Sequence, residues 1–249
     1  MIPWRQIDGR ALAVEMPVAL VFDGTTQAVM MASPCDIEDF ARGFARTEGL
    51  IDAASDIVRF ELVEQPNGIE ARAWLRAASG NRLKARRRAM LGPVGCGLCG
   101  IDSLNEAVRD LPQVAATLTI TPDDPARAMA SLRAHQPLQD ATRAVHAAAL
   151  WCAKRGLIAI REDIGRHNAL DKLAGAISVT DGILVMTSRL SVDLIQKAAM
   201  IGAQIIIAAG APSTLALHTA NRAGITLIGR TRHETHEIYT HPDRIREAL

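Results

Sequence analysis

The sequence predicts an α/β protein: a mostly parallel sheet with covering helices, plus a smaller β-rich N-terminal section. Two observations predict it. Residues 157–228 alternate short apolar runs with helix-length amphipathic runs, the pattern of parallel strands joined by crossover helices. The first third instead pairs apolar runs around Gly- and Asn-containing turns, as hairpins do. A chain of 249 residues can bury a sizeable core, as one large domain or two small ones.

Taken in order, Val18–Phe22 and Gln27–Ala32 are apolar runs separated by Asp23-Gly24-Thr25-Thr26, a hairpin signal. Ser33 suits an N-cap and Pro34 the first helical position. The helix then runs to about Glu48, where Gly49 supplies a left-handed C-cap. Its apolar face is Ile37, Phe40, Ala41, Phe44 and Ala45. Ile57–Val63 and Ile69–Leu75 form a second strand pair, turning at Pro66-Asn67-Gly68. A basic run follows (Arg82, Lys84, Arg86, Arg87, Arg88), then Gly92-Pro93-Val94-Gly95 and the pentapeptide Cys96-Gly97-Leu98-Cys99-Gly100, too rich in glycine for the interior of a helix or strand. Ser103–Leu111, Asp124–His135 and Asp140–Lys154 show helical spacing, which places His146 and Cys152 on a helix. A linker near Pro112–Pro122 divides the chain into residues 1–112, carrying the cysteine loop, and residues 113–249. The latter alternates strand Leu157–Arg161 and helix Arg166–Ile177, strand Ile183–Thr187 and helix Ser191–Met200, strand Gln204–Ala208 and helix Ser213–Ala223, and ends on strand Ile225–Ile228.

Composition removes several function classes. The 28 basic and 27 acidic residues leave a net charge of +1, so no global field favours nucleic acid or a membrane surface. Aromatic residues make up 3 %, too few for base-stacking platforms. No apolar run approaches the roughly 18 residues of a membrane span. Met1-Ile2-Pro3-Trp4-Arg5-Gln6 lacks the basic and apolar regions of a signal peptide, so the expected compartment is the cytoplasm. Four cysteines in this length are no disulfide scaffold, and in a reducing compartment a C-x-x-C points to metal or redox chemistry.

Cys96 and Cys99 can bind a metal, cycle as a disulfide or carry sulfur as a persulfide. Zinc needs two more ligands in most sites, yet no second C-x-x-C exists and all seven histidines lie beyond the loop. A nucleobase deaminase needs His-x-Glu or Cys-x-Glu upstream of its cysteine pair, which is missing. A thioredoxin-type motif opens a helix after the first strand of a βαβ unit, unlike these flanking glycines. Sulfur carriage needs a reachable, mobile thiolate, and Arg86, Arg87 and Arg88 would favour the ionised form. A structural zinc knuckle remains the plain alternative.

Parallel strands bring their carboxyl ends to one edge, where ligands bind. The segments at those ends are Glu162-Asp163-Ile164-Gly165-Arg166-His167-Asn168, Ser188-Arg189-Leu190-Ser191, Gly210-Ala211-Pro212-Ser213-Thr214 and Gly229-Arg230-Thr231-Arg232-His233. Three of them open helices, whose free N–H groups attract anions, and three carry arginine, which grips phosphate bidentately. The simpler reading of Glu162–Lys172 is a capped helix start with surface ion pairs. Arg82–Arg88 reads first as a solvated face and His146 as a packing residue, and the spacing of His233, His236 and His241 suits no single helical or strand face, a weak signal for a metal.

Together these segments resemble the FdhD family of formate dehydrogenase accessory sulfurtransferases. The likeness runs through Met30-Met31-Ala32-Ser33-Pro34, Glu38-Asp39-Phe40-Ala41, Gly43-Phe44, the C-x-x-C, His146-Ala147-Ala148-Ala149, Arg161–Lys172, Met186–Ser191 with Gln196-Lys197-Ala198, Gly224–Ile228 and Ile238-Tyr239-Thr240. It implies a cytidine-deaminase-like fold without the deaminase zinc site, no structural metal, and a homodimer. It implies a sulfurtransferase whose Cys96 accepts persulfide sulfur from a cysteine desulfurase, with Cys99 assisting, and passes it to the molybdenum of a bis(molybdopterin guanine dinucleotide) cofactor bound for the formate dehydrogenase catalytic subunit. Guanine nucleotide would mimic that cofactor. Its phosphates and guanines would meet Arg166, His167, Ser188, Arg189 and the segment Arg230-Thr231-Arg232-His233-Glu234-Thr235. In that last segment the chain departs from the family's aromatic- and glycine-containing pattern, keeping Arg232; glycines that usually precede His146 are here Arg143 and Ala144. The competing reading is a non-catalytic, zinc-stabilised chaperone for the cofactor or the apo-enzyme; a dithiol redox enzyme is a third.

Overall fold

The computed structural model describes residues 2–77, 79–80, 110–178 and 181–247. The cysteine pair Cys96 and Cys99, the basic run Arg82–Arg88 and most of the expected helix Ser103–Leu111 lie outside the described residues.

The first hairpin was not anticipated: strands β1 (Trp4–Ile7) and β2 (Arg10–Ala13) pair antiparallel around Asp8-Gly9, both at positive φ. The next four strands follow the expected hairpins. β3 (Met16–Phe22) pairs antiparallel with β4 (Thr25–Ala32), and β5 (Ile57–Gln65) with β6 (Gly68–Leu75). A parallel β3–β6 pairing joins them into a sheet of order β4-β3-β6-β5. Val18, Leu20, Phe22, Ile69, Ala71 and Ala73 face inward at alternate positions.

Helix α1 (Ile37–Thr47) covers that face with Ile37, Phe40, Ala41 and Ala45. It starts later than Ser33-Pro34 suggested. Asp36, left-handed at φ 53°, occupies the N-cap position, because the backbone and hydroxyl of Ser33 are held elsewhere. The C-terminal stop is as expected: Gly49 turns left-handed at φ +72° one residue after the cap Glu48.

The second sheet has the order β12-β11-β10-β9-β7-β8. Its strands are β7 (His146–Cys152), β8 (Gly156–Asp163), β9 (Ile183–Met186), β10 (Ile205–Ala208), β11 (Thr226–Arg232) and β12 (Thr235–Ile238). β8, β9, β10 and β11 share one direction, while β7 and β12 run the other way. The expected helix over Asp140–Lys154 is therefore corrected. Only Pro137–Thr142 is helical there, and His146 opens a strand rather than riding a helix. Cys152 ends that strand, and Cys35 lies in the turn before α1 rather than within it. Ala147, Ala148, Ala149, Leu150 and Trp151 are all buried, so both faces of β7 are covered. Burial on both faces overrides alanine's helix preference.

Helices α2 (Asp124–Arg133) and α3 (Pro137–Thr142) precede the sheet; α4 (Arg166–Ala176), α5 (Val192–Met200) and α6 (Thr214–Ala223) connect its strands. Alternation along each strand sorts the core. Ala148, Leu150, Leu184, Met186, Ile206, Ala208 and Leu227 meet α4, α5 and α6, whereas Ala149, Trp151, Val185, Ile205, Ile207 and Ile228 meet α2. The loop before α2 is pinned to this unit by Val114 N–H on Ala223 O and by Gln204 Oε1, which accepts from the amides of Thr117 and Leu118.

The two sheet units meet where α1 crosses α4. A Cβ at Gly43 would stand 1.6 Å from Asp171 O, and one at Gly175 would stand 1.9 Å from Asp39 O, so only glycine permits this approach. Two buried lysines clamp the crossing. Lys172 Nζ lies 2.7 Å from Asp163 Oδ2 and 2.9 Å from Ser33 O, with both side chains wholly buried. Lys197 Nζ lies 3.0 Å from both Asp171 oxygens and 2.9 Å from Glu48 Oε1, and stands over the Phe44 ring at 5.4 Å. Burial opposes that lysine's charge, but the Asp171 and Glu48 carboxylates outweigh it and raise its pKa. Arg46 closes the far end, donating to the terminal carbonyls Ala174 O and Ile177 O of α4.

Candidate functional site

The shared direction of β8, β9, β10 and β11 brings their carboxyl ends to one edge of the sheet, and a cavity of about 510 Å³ opens there. Its lining contains Arg133, His146, Arg166, Arg189 and Arg232, with Thr187, Ser188, Ala209 and Gly210. Each basic residue arrives from a different element: Arg133 from the last turn of α2, His146 from the start of β7, Arg166 from the first turn of α4, Arg189 from the loop after β9, and Arg232 from the end of β11. Among the described residues, no carboxylate is in the lining.

Backbone hydrogen bonds lace the wall loops together. Gly210 N–H donates to Ser188 O, Leu190 N–H to Ala211 O, Ser213 N–H to Leu190 O and Arg230 N–H to Gly210 O. A Cβ at Gly210 would stand 2.8 Å from Arg189 Cα, and one at Gly229 would stand 2.8 Å from Gly210 O. Three loops are thus stacked backbone on backbone, which fixes the roots of Arg189 and Arg232. The Nε–H of Arg166 is buried with no partner among the described residues. An unpaired buried donor is costly unless a ligand meets it. Four guanidiniums around one hollow therefore suit an oxyanion, above all phosphate or pyrophosphate.

The sequence-predicted residues distribute unevenly about this hollow. Arg166, Ser188, Arg189 and Arg232 line it together. His167 turns instead toward Asp193, with Nε2 at 3.7 Å from Oδ2, and the nearby imidazole holds that carboxyl below its usual range. Thr231 is wholly buried, its hydroxyl without a partner among the described residues. Arg230 points outward to Glu237 at 3.2 Å. His233 (φ 51°) and Glu234 form the turn between β11 and β12, and Thr235 donates to Arg232 O at 3.0 Å. Cys96 and Cys99 lie outside the described residues. Arg133 and His146 were not anticipated as lining. β7 runs antiparallel, so its first residue, not its last, reaches this edge.

Most charges in the Arg161–Lys172 segment hold the fold. Arg161 pairs with Asp39 at 2.6 Å. Glu162 accepts from the amides of Leu138 and Gln139, opening α3; burial raises its pKa and those amides oppose the rise. Asp163 accepts from Ser33 N–H, Gly165 N–H and Asn168 Nδ2 besides pairing with Lys172. Arg166 alone of the segment lines the cavity. Among the described residues, no group of three or more His, Cys, Asp or Glu could hold a metal ion, and no helix is long and apolar enough to cross a membrane.

Residues 13–246 match the FdhD/NarQ family. The chain belongs to that family. Relatives named sulfur carrier protein FdhD are similar along almost the full length. The one from Agrobacterium fabrum is 49 % identical over 242 residues, covering 95 % of this chain and 89 % of the relative. The one from Brucella abortus is 47 % identical over 249 residues, covering 98 % and 93 %. Among solved structures, a Desulfotalea psychrophila protein named provisionally as a formate dehydrogenase accessory protein superposes with a TM-score of 0.72 at 26 % identity, covering 95 % of this chain and 91 % of that one. The FdhD/NarQ membership agrees with the family expected from the sequence, and the α/β architecture with the expected fold class.

Proposed function

We propose that this chain is a sulfur carrier protein that supplies sulfur to the molybdenum cofactor. Cys96 thiolate attacks the terminal sulfur of a persulfide on a cysteine desulfurase; a Cys96 persulfide forms and the desulfurase thiolate leaves. Cys99 assists the onward step. The acceptor is the bis(molybdopterin guanine dinucleotide) cofactor, whose phosphates rest among Arg133, Arg166, Arg189 and Arg232 before delivery to the formate dehydrogenase catalytic subunit. The protein acts in the cytoplasm, where thiols stay reduced, and as a homodimer. The observation that carries this reading is the convergence of four arginines on one cavity of about 510 Å³ at the strand ends, in a family whose relatives are named sulfur carriers.

The test is incubation with a cysteine desulfurase and cysteine, followed by intact mass. The wild-type protein gains the mass of one sulfur, and Cys96→Ala does not. Equal gain by Cys96→Ala, or none by the wild type, overturns the carrier reading. Stoichiometric bound zinc with unfolding on chelation would instead establish a zinc-stabilised chaperone.

A further inference from the structure

Among the described residues, His146 is the one member of the basic lining whose charge is adjustable near neutral pH. Among the described residues, the permanently charged groups lining the cavity around it are all guanidiniums, and the His167 imidazole lies close by. Arg166 and His167 come from α4, Arg133 from α2, Arg189 from the loop after β9 and Arg232 from β11. The acids on the packed elements are engaged elsewhere. Asp163, its cross-strand partner on β8, holds Lys172; Glu162 holds the amides of α3; Asp193, on α5, stands by His167. Just after β9 the Thr187 hydroxyl lies 3.5 Å from His146 Nδ1, able to accept from it or donate to it. In the empty cavity, burial first, then Arg166 and His167, push the imidazole below its ordinary pKa. A dianion among those guanidiniums reverses the local field.

We propose that His146 is a proton-accepting member of the anion cradle: neutral while the cavity is empty, and protonated from solvent when a phosphate or pyrophosphate group enters. The only bond formed is N–H, and the proton comes from water or buffer. The idea rests on the cavity being the anion site. Reciprocity then requires that affinity for a fully charged oxyanion rise as pH falls. His146 thereby favours a group carrying two negative charges over one carrying a single charge, and rising pH loosens the bound anion.

Sulfate and GDP are the probes. Sulfate keeps its double charge across the neutral range, so any pH dependence of its binding belongs to the protein. Calorimetry in two buffers of different ionisation enthalpy counts the protons taken up. In the wild type, uptake accompanies sulfate binding, and affinity rises by up to about tenfold per pH unit between the free and bound pKa values of the imidazole. His146→Gln binds sulfate with no proton uptake and a flat pH profile, and His146→Asn serves if the first variant folds poorly. In wild-type imidazole NMR, one of the seven histidines titrates at higher pH once sulfate is present. Equal uptake by wild type and variant, or no shifted imidazole, overturns the role of His146 while leaving the cavity reading intact. A folded protein that binds neither probe at any pH overturns both.

Discussion

Arg166 and Arg189 approach the cavity from the segments that follow β8 and β9, on either side of β7, and each presents a charge-assisted fork to the same space. A ligand that binds only the native state stabilises it by mass action, so GDP raises the melting temperature of the wild type. Arg166→Ala and Arg189→Ala each lose most of that rise, because a charge-assisted contact contributes about 1.5–3 kcal/mol, roughly a tenfold or greater change in affinity. Thermal denaturation at millimolar GDP reads this; a full shift in both variants removes phosphate from the site. His146 carries a separate prediction. Its native pKa is lowered, so below an ordinary value near 6.5 the unfolded chain binds a proton that the native state resists, and stability falls as pH drops through that window. In phosphate- and sulfate-free buffer, acidification lowers the melting temperature of wild type more than that of His146→Gln. The placing of Arg166, Arg189 and Arg232 at one edge was legible in the sequence because a single rule, ligands at parallel strand ends, named their segments; Arg133, at the end of a helix, fell outside that rule. His146 was not legible, because its position depends on β7 running backwards, which no local pattern encodes.

The crossing of α1 and α4 carries the next predictions. Lys172→Met leaves the wholly buried Asp163 carboxylate without its ion partner, and breaking such a pair costs about 3–5 kcal/mol. Urea unfolding measures it; a loss below about 1 kcal/mol would show that the amides of Ser33 and Gly165 suffice. Gly43→Ala drives a methyl onto Asp171 O, which the two backbones escape only by separating, at or above the upper end of the roughly 1–3 kcal/mol typical of overpacking. The hairpins β3–β4 and β5–β6 were legible because Asp-Gly and Asn-Gly turns separate alternating runs. The strand β7 was misread as helix because Ala147-Ala148-Ala149 favours a helix locally, and only burial between β8 and β9 makes it extended. The charged segment after β8 drew a functional reading as a whole; packing against Ser33, Asp39 and Leu138 shows that most of it is mortar.

At the scale of the molecule, the same clamp joins two cores that could otherwise melt apart. The four-stranded sheet closes on α1, α1 locks to α4 through buried charge, and α4 covers the six-stranded sheet. Trp74 reports on the first sheet and Trp151 on the second. Single-tryptophan versions therefore unfold in urea with coincident midpoints; two separated midpoints would show independent units. The walls of the cavity also lie far apart along the chain, from Arg133 to Arg232, and β11 seals the last side. During synthesis the thiol pair emerges from the ribosome long before that final wall exists. A nascent chain therefore has no finished pocket, and an anion can find this cavity only once β11 has been made.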